Sequence, residues 1–211
     1  MKLKVCGLKY KENIVEIANL QPDYMGFIFY DPSKRFVGED FEMPVISSDI
    51  KKVGVFVNAT VDYIIDKIIK YKLNLVQLHG DENAAFCENL SLRLSQNENT
   101  QNVKIIKAFG VDTNFDFKTL ESFKNSCDYF LFDTKTKEYG GSGKSFDWSI
   151  LKNYDNSKPC FLSGGIGLEE LKNISDSQLQ IYAIDVNSKF EVEPGLKNIK
   201  MIKELVDVLM C

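Results

Sequence analysis

Eight times along this chain a short run rich in Val, Ile and Phe gives way to a longer segment of helical period, and that alternation limits the fold more than any other feature. The short runs, read as strands, are residues 3–5, 24–28, 52–57, 75–78, 104–108, 129–132, 160–162 and 181–185. Helices are expected at 11–19, 61–71, 83–94, 115–125, 148–153, 168–173 and 196–209, with a poorly marked one over 46–50. The helix at 61–71 shows the logic: Thr60 is a capping residue, and Ile64, Ile65, Ile68 and Ile69 form one apolar stripe that must face a sheet. The run Tyr129-Phe130-Leu131-Phe132 does not alternate, so its strand is buried on both faces, as in a parallel sheet covered by helices. Eight βα units fit an α/β fold of one closed (β/α)8 barrel, the TIM barrel, with an open doubly wound sheet as the alternative. At 211 residues the chain is shorter than the ~250 typical of such barrels, so its loops are expected to be short. With no Pro, Gly or Ser-rich linker, residues 1–211 read as a single domain.

The charge balance narrows the partners. With 26 basic and 30 acidic side chains the net charge is −4, so no cationic surplus draws the chain to nucleic acid or to an anionic membrane. No stretch approaches the ~20 apolar residues of a membrane span, and the start Met-Lys-Leu-Lys-Val-Cys-Gly is too polar for a secretory signal, so a cytoplasmic protein is expected. Cys6, Cys87, Cys127, Cys160 and Cys211 are odd in number, far apart and without a C-x-x-C pair, which suggests neither a disulfide framework nor a zinc site. They are core filler or chemistry.

In a βα barrel the C-terminal ends of all strands open on one face, so residues remote in sequence meet there. The strand ends carry Cys6-Gly7, the loop 30–35, Asn58, His79-Gly80, Phe109-Gly110, Asp133, Ser163-Gly164-Gly165, and Asp185 with Ser188. Gly164-Gly165 and Gly167 precede the helix at 168 and offer bare backbone N–H groups at a helix N-terminus, a setting that attracts phosphate, and Asn187 and Ser188 complete the cradle. A simple glycine turn is the plainer reading. Asp133 ends the most apolar strand, where a carboxylate is costly unless paired or protonated, which points to an acid or to a cap of the following loop. His79, the one histidine, reads as a hydrogen-bonding scaffold, and without a second ligand beside it no metal site is expected. Arg35 is one of two arginines among 24 lysines, and its fork suits a carboxylate. The glycine-rich stretch 140–145 lacks the first glycine of a nucleotide P-loop, having Glu138 there, and residues 134–144 read as a lid over the open face.

Several blocks, in order from end to end, resemble the phosphoribosylanthranilate isomerases: Lys4-Val-Cys-Gly-Leu8, Ser33-Lys-Arg-Phe36, Val76-Gln-Leu-His-Gly-Asp-Glu82, Phe132-Asp133, Tyr139 to Trp148, Leu162-Ser-Gly-Gly165 and Ile184-Asp-Val-Asn-Ser188. The resemblance implies a (β/α)8 barrel that uses neither cofactor nor metal and carries out an Amadori rearrangement of N-(5-phosphoribosyl)anthranilate in tryptophan biosynthesis. By the same resemblance Cys6 is the general base and Asp133 the general acid. Arg35, His79 and Asp185 bind the substrate, and Gly164, Gly165 and Ser188 hold its phosphate. The protein is then a monomer or homodimer whose partner is a small phosphosugar anthranilate. One position departs from the pattern, Lys189, where the family has a glycine. Within enzymes the alternative is another phosphate-binding barrel of histidine or tryptophan biosynthesis, and outside them a noncatalytic phospholigand-binding barrel.

Overall fold

The computed structural model of the protein describes residues 1–135, 147–177 and 179–210. Eight parallel strands, β1 (Lys2–Val5), β2 (Tyr24–Ile28), β3 (Lys51–Phe56), β4 (Leu75–Leu78), β5 (Lys104–Val111), β6 (Tyr129–Thr134), β7 (Cys160–Leu162) and β8 (Ala183–Val186), pair in sequence order, and β1 closes the barrel on β8. Their side chains alternate between two cores, as a period of two requires. One core fills the lower barrel with Tyr24, Val53, Leu75, Ile106, Ala108, Leu131, Phe161 and Ala183. The other lies outside it, where Val5, Met25, Phe27, Phe56, Leu78, Phe130, Phe132 and Ile184 meet the helices. The run 129–132 is therefore apolar throughout because it feeds both. Each fully buried Leu or Phe is worth ~1.5–3 kcal/mol, so closing the barrel satisfies strand after strand.

The helices are α1 (Lys11–Asn19), α2 (Val61–Tyr71), α3 (Ala84–Ser95), α4 (Leu168–Asp176) and α5 (Ile199–Met210). In α2 the Thr60 hydroxyl accepts from Tyr63 N–H at 3.3 Å, Ile64 and Ile68 are buried, and the left-handed Lys72 stops the helix. Ile69, at the rim of the stripe, is exposed.

Four of the expected helices differ. No helix joins β2 to β3. Pro32, Gly38 and Pro44 break that connection, which instead lays Phe29, Val37 and Phe41 into the outer core and bridges Phe36 to Ile28. The segments Phe117–Phe123 and Trp148–Asn153 are 3₁₀ turns, started by Asp116 and Asp147, each of which accepts from the N–H two residues on. They are short and begin on aromatic side chains of modest helix propensity, and the tighter turn suits such pieces. The last helix starts at Ile199, because Leu196–Lys197 (β10) pairs antiparallel with Glu191–Glu193 (β9) about a turn at Gly195 with φ +93°. Past Lys135, the lid expected over 134–144 lies outside the described residues.

Candidate active site

Above the apolar floor of the barrel comes a polar layer. Lys4 lies on β1 two residues before Cys6, so both enter the barrel, and Lys4 is wholly buried with its Nζ 2.7 Å from Asp185 Oδ2 on β8. Burial works against this ammonium, but the Asp185 carboxylate and the Cys6 thiol beside it prevail and hold its pKa above the usual lysine value. Cys6 is also buried, in a space that β2 opens: a methyl group on Gly26 would stand 2.7 Å from Cys6 Sγ. Burial pushes the thiol's pKa up, opposed by the charges of Lys4 and Lys197. The next residue, Gly7, takes φ +73° and has no room for a side chain, with Asn187 Oδ1 and Arg35 Cδ 2.6 and 2.7 Å from where one would begin.

Arg35 does not stand open. Its Nε and Nη2 grip the Glu191 carboxylate at 2.7–3.1 Å, and Lys197, buried on β10, bonds Glu191 Oε1 and Asn187 Oδ1 at 2.6 Å each. Burial lowers the Lys197 pKa to about 8 against the pull of Glu191. Arg35 and Lys197 in turn overcome the burial of Glu191 and hold its carboxyl below the usual glutamate range.

Across the mouth, His79 follows β4 and Asp133 ends the inner face of β6. Their Nε2 and Oδ2 are 3.3 Å apart, and the intervening β5 leaves room for them with Ala108 and Gly110. Asp133 is not sealed in its apolar strand: its side chain is 17% exposed and is stabilised by His79 and by the Thr134 N–H, which donates to Oδ1 at 2.7 Å. Gln77, two residues before His79 and buried, places its amide 2.7 Å from Nδ1. Asp185 joins the two halves, being close enough for its charge to act on Cys6 and to respond to Asp133 and His79.

After β7 the chain turns on Gly164 and Gly165, φ +91° and +66°, and a side chain at Gly164 would begin 2.8 Å from Thr134 N and 3.0 Å from Asp133 Oδ1. The turn leads into α4, whose first N–H is taken: Glu170 Oε2 accepts from Gly167 N–H at 2.8 Å. Lys189, in the short turn Ser188–Phe190 after β8, lies across Gly167 and binds Glu170 Oε1 at 2.7 Å. The departing lysine thus points neither to solvent alone nor to an open cradle; it neutralises the carboxylate that caps the helix.

Cys6, His79, Asp133, Asp185, Gly164, Gly165 and Ser188 therefore all follow or end strands at one face, with Arg35 clamped at its edge. Sequence reading passed over Lys4, Gln77, Glu191 and Lys197. The first two carried a signal, a polar residue at the inner position of a buried strand two places before a strand-end group. The described cysteines, Cys6, Cys87, Cys127 and Cys160, are free thiols, and among the described residues no three His, Cys, Asp or Glu side chains gather as a metal site would need. Nor is any described helix long and apolar enough to cross a membrane.

Residues 3–208 match the family model for N-(5'phosphoribosyl)anthranilate (PRA) isomerase. The N-(5'-phosphoribosyl)anthranilate isomerase of Parabacteroides distasonis is 43% identical, over all of this chain and 94% of that one. The crystal structure of phosphoribosyl anthranilate isomerase from Thermotoga maritima superposes with a TM-score of 0.80 at 33% identity, covering 98% of this chain and 97% of its own. A phosphoribosyl anthranilate isomerase solved in complex with reduced 1-(o-carboxyphenylamino)-1-deoxyribulose 5-phosphate superposes at 0.76 with 29% identity and the same coverage.

Proposed function

Because the chain belongs to the N-(5'-phosphoribosyl)anthranilate isomerase family, we propose that its barrel rearranges N-(5-phosphoribosyl)anthranilate to 1-(2-carboxyphenylamino)-1-deoxyribulose 5-phosphate with Asp133 as acid and Cys6 as base. The observation that supports these roles most directly is the opposition of two differently held groups at one mouth. Cys6 is buried beside the Lys4 ammonium, whereas Asp133 is partly open to the mouth and hydrogen-bonded to His79. Asp133 gives a proton to the furanose ring oxygen as the ring C–O bond breaks, and the anilino nitrogen's lone pair becomes the C=N bond of a Schiff base. Cys6 as thiolate takes the proton from the adjacent C2, the C2–H electron pair becomes the C1=C2 bond, and the C=N pair returns to nitrogen to leave an enolamine. That species tautomerises to the ketone. A thiolate is the competent base; burial favours the resting thiol, and the Lys4 and Lys197 charges beside it are what work against that.

The remaining groups fit the ligand. The Gly164-Gly165 turn and Ser188 hold the phosphate by backbone and hydroxyl donors. Asp185 Oδ1 is buried with no partner among the described residues, an acceptor suited to a sugar hydroxyl. Arg35 keeps its planar face for the anthranilate ring while Glu191 fixes the fork. The ligand bound to the similar solved isomerase carries these same three features: phosphate, polyol and carboxyphenyl. Residues 1–211 act in this as one catalytic barrel.

Freshly generated phosphoribosylanthranilate, followed by its fluorescence with and without the protein, tests the reading. Cys6→Ser and Asp133→Asn are each expected to lower turnover by at least ~100-fold while the fold is kept. Near-normal turnover in either removes that residue from the mechanism, and binding of a product analogue without turnover by the unaltered protein favours a noncatalytic barrel.

A further inference from the structure

Gln77 makes a contact that the mechanism above does not use. It is 1% exposed on the inner face of β4, with its amide 2.7 Å from His79 Nδ1 and its other polar atom, Oε1, buried with no partner among the described residues. Nε2 of the same imidazole faces Asp133 Oδ2 at 3.3 Å. A carboxamide presents a donor and an acceptor of nearly the same shape, exchanged by a half-turn about its last bond. An imidazole nitrogen likewise serves as either.

The two orientations correspond to different proton counts. With Gln77 donating through Nε2–H, His79 Nδ1 is a bare acceptor, the ring proton sits on Nε2, and it is given to an ionised Asp133. With the amide turned over, Oε1 requires a proton on Nδ1. The contact between Nε2 and Asp133 Oδ2 then holds a second proton, available as the carboxylic acid. One proton separates these states, and it is the proton that an acid at Asp133 delivers to substrate.

We propose that Gln77 is a positioning residue that sets the proton state of the His79–Asp133 pair, donating when the pair has lost its transferable proton and accepting when it carries it. The inference rests on the reading of Asp133 as the acid. Other charged groups near the pair do not meet Nδ1. Asp185 with Lys4 faces it from β8 and β1, and Cys6 lies beyond them. Lys107 and Glu82 hold the carbonyl and N–H of Gly80 at 2.7 and 2.9 Å and so fix the backbone next to His79. Thr134 N–H serves Asp133 Oδ1. Among the described residues Gln77 alone meets Nδ1.

The chain has one histidine, so its imidazole ¹⁵N resonances report His79 without assignment. In the unaltered protein the expected spectrum above the titration of the pair is the Nε2–H tautomer, and below it Nδ1 is protonated. Gln77→Leu, of similar volume, is expected to mix the tautomers at high pH and to lower kcat by about 10–100-fold with KM little changed, the usual loss when the partner orienting a working histidine is removed. Gln77→Glu accepts but cannot donate, so it favours the proton on Nδ1, and the alkaline limb of kcat, where the acid would lose its proton, moves to higher pH. An Nδ1–H tautomer above the titration in the unaltered protein overturns the proposal, as does a Gln77→Leu spectrum that matches it at every pH. If the spectra change as expected while kcat and its pH profile do not, Gln77 does set the tautomer and it is the acid role of Asp133 that fails.

Discussion

Replacing Gly26 by alanine asks whether the sulfur of Cys6 is held where the structure places it. The new methyl would come 2.7 Å from Cys6 Sγ, 3.1 Å from its Cα and 3.2 Å from its Cβ. An unstrained contact of this kind needs ~3.5–4 Å, so the sulfur must move by about 1 Å. Spreading the strands is not an easy escape, since β1 and β2 are hydrogen-bonded neighbours in register from Lys4–Tyr24 to Val5–Met25. Gly26 is not among the positive-φ glycines, so alanine is acceptable to the backbone and the strain falls on the contact itself. Overpacking of this size costs ~1–3 kcal/mol, and a reacting atom displaced by ~1 Å loses about 100-fold in rate. Urea unfolding reads the first and fluorescence-monitored turnover the second. Repeating Gly26→Ala in a Cys6→Ala background separates causes: with the sulfur gone, the destabilisation is expected to shrink by ~1 kcal/mol, the scale of coupling between residues in contact. Wild-type stability and turnover in Gly26→Ala would show that Cys6 is not packed over this glycine, and equal destabilisation in both backgrounds would place the strain in the backbone.

Lys4→Met leaves Asp185 buried without its cation and should cost ~3–5 kcal/mol in urea unfolding, much of it recovered when Asp185→Asn is added; equal stability of Lys4→Met and the unaltered protein would deny the ion pair. The lowered pKa of Glu191 means that the folded chain binds fewer protons there than the unfolded chain. Its contribution is full above ~4.3, the ordinary glutamate value, and drains away as pH falls through the folded value. Glu191→Gln should therefore flatten the acid limb of a stability-against-pH curve, and an unaltered limb refutes the clamp. Lys189→Gln frees Glu170 to repel phosphate at the head of α4, so KM should rise several-fold, most at low ionic strength, and Glu170→Gln in the same chain should reverse it. No change in KM or in its salt dependence would mean that the pair stands clear of the ligand.

The barrel was legible because both faces of its strands are apolar, and a polar residue inside such a strand is then conspicuous. Lys4 in Leu3-Lys4-Val5-Cys6 and Gln77 in Val76-Gln77-Leu78-His79 are of that kind, and both proved to be partners of strand-end groups. What could not be read was pairing across distance. Glu191 lies 156 positions from Arg35, and nothing local to either marks the other. Lys197 was hidden by a helical pattern that runs through it, although Pro194-Gly195 upstream is a turn signal strong enough to have argued for a hairpin. The 3₁₀ turns follow from a competition that periodicity alone does not see, in which aromatic packing under a short connection outweighs the fourth residue of an α-turn.

A buried lysine, a buried glutamine and a largely buried arginine–glutamate–lysine cluster are expensive furniture for the mouth and edge of a small barrel, where apolar residues of equal volume would often leave it as stable or more so. Their arrangement accounts for their presence. Lys4 touches the thiol, Gln77 touches the histidine that faces the carboxyl, and Glu191 fixes the arginine that borders Gly7. Lys4, Gln77 and Glu191 each meet a group of the proposed chemistry directly, while the layer beneath is hydrophobic on every strand that contributes to it. Stability is thus supplied from the floor of the barrel and the cores outside it, which leaves the upper layer free to be polar. A destabilising cluster there can persist because the layers are separate along the strand, two residues apart, and a substitution in one need not disturb the packing of the other.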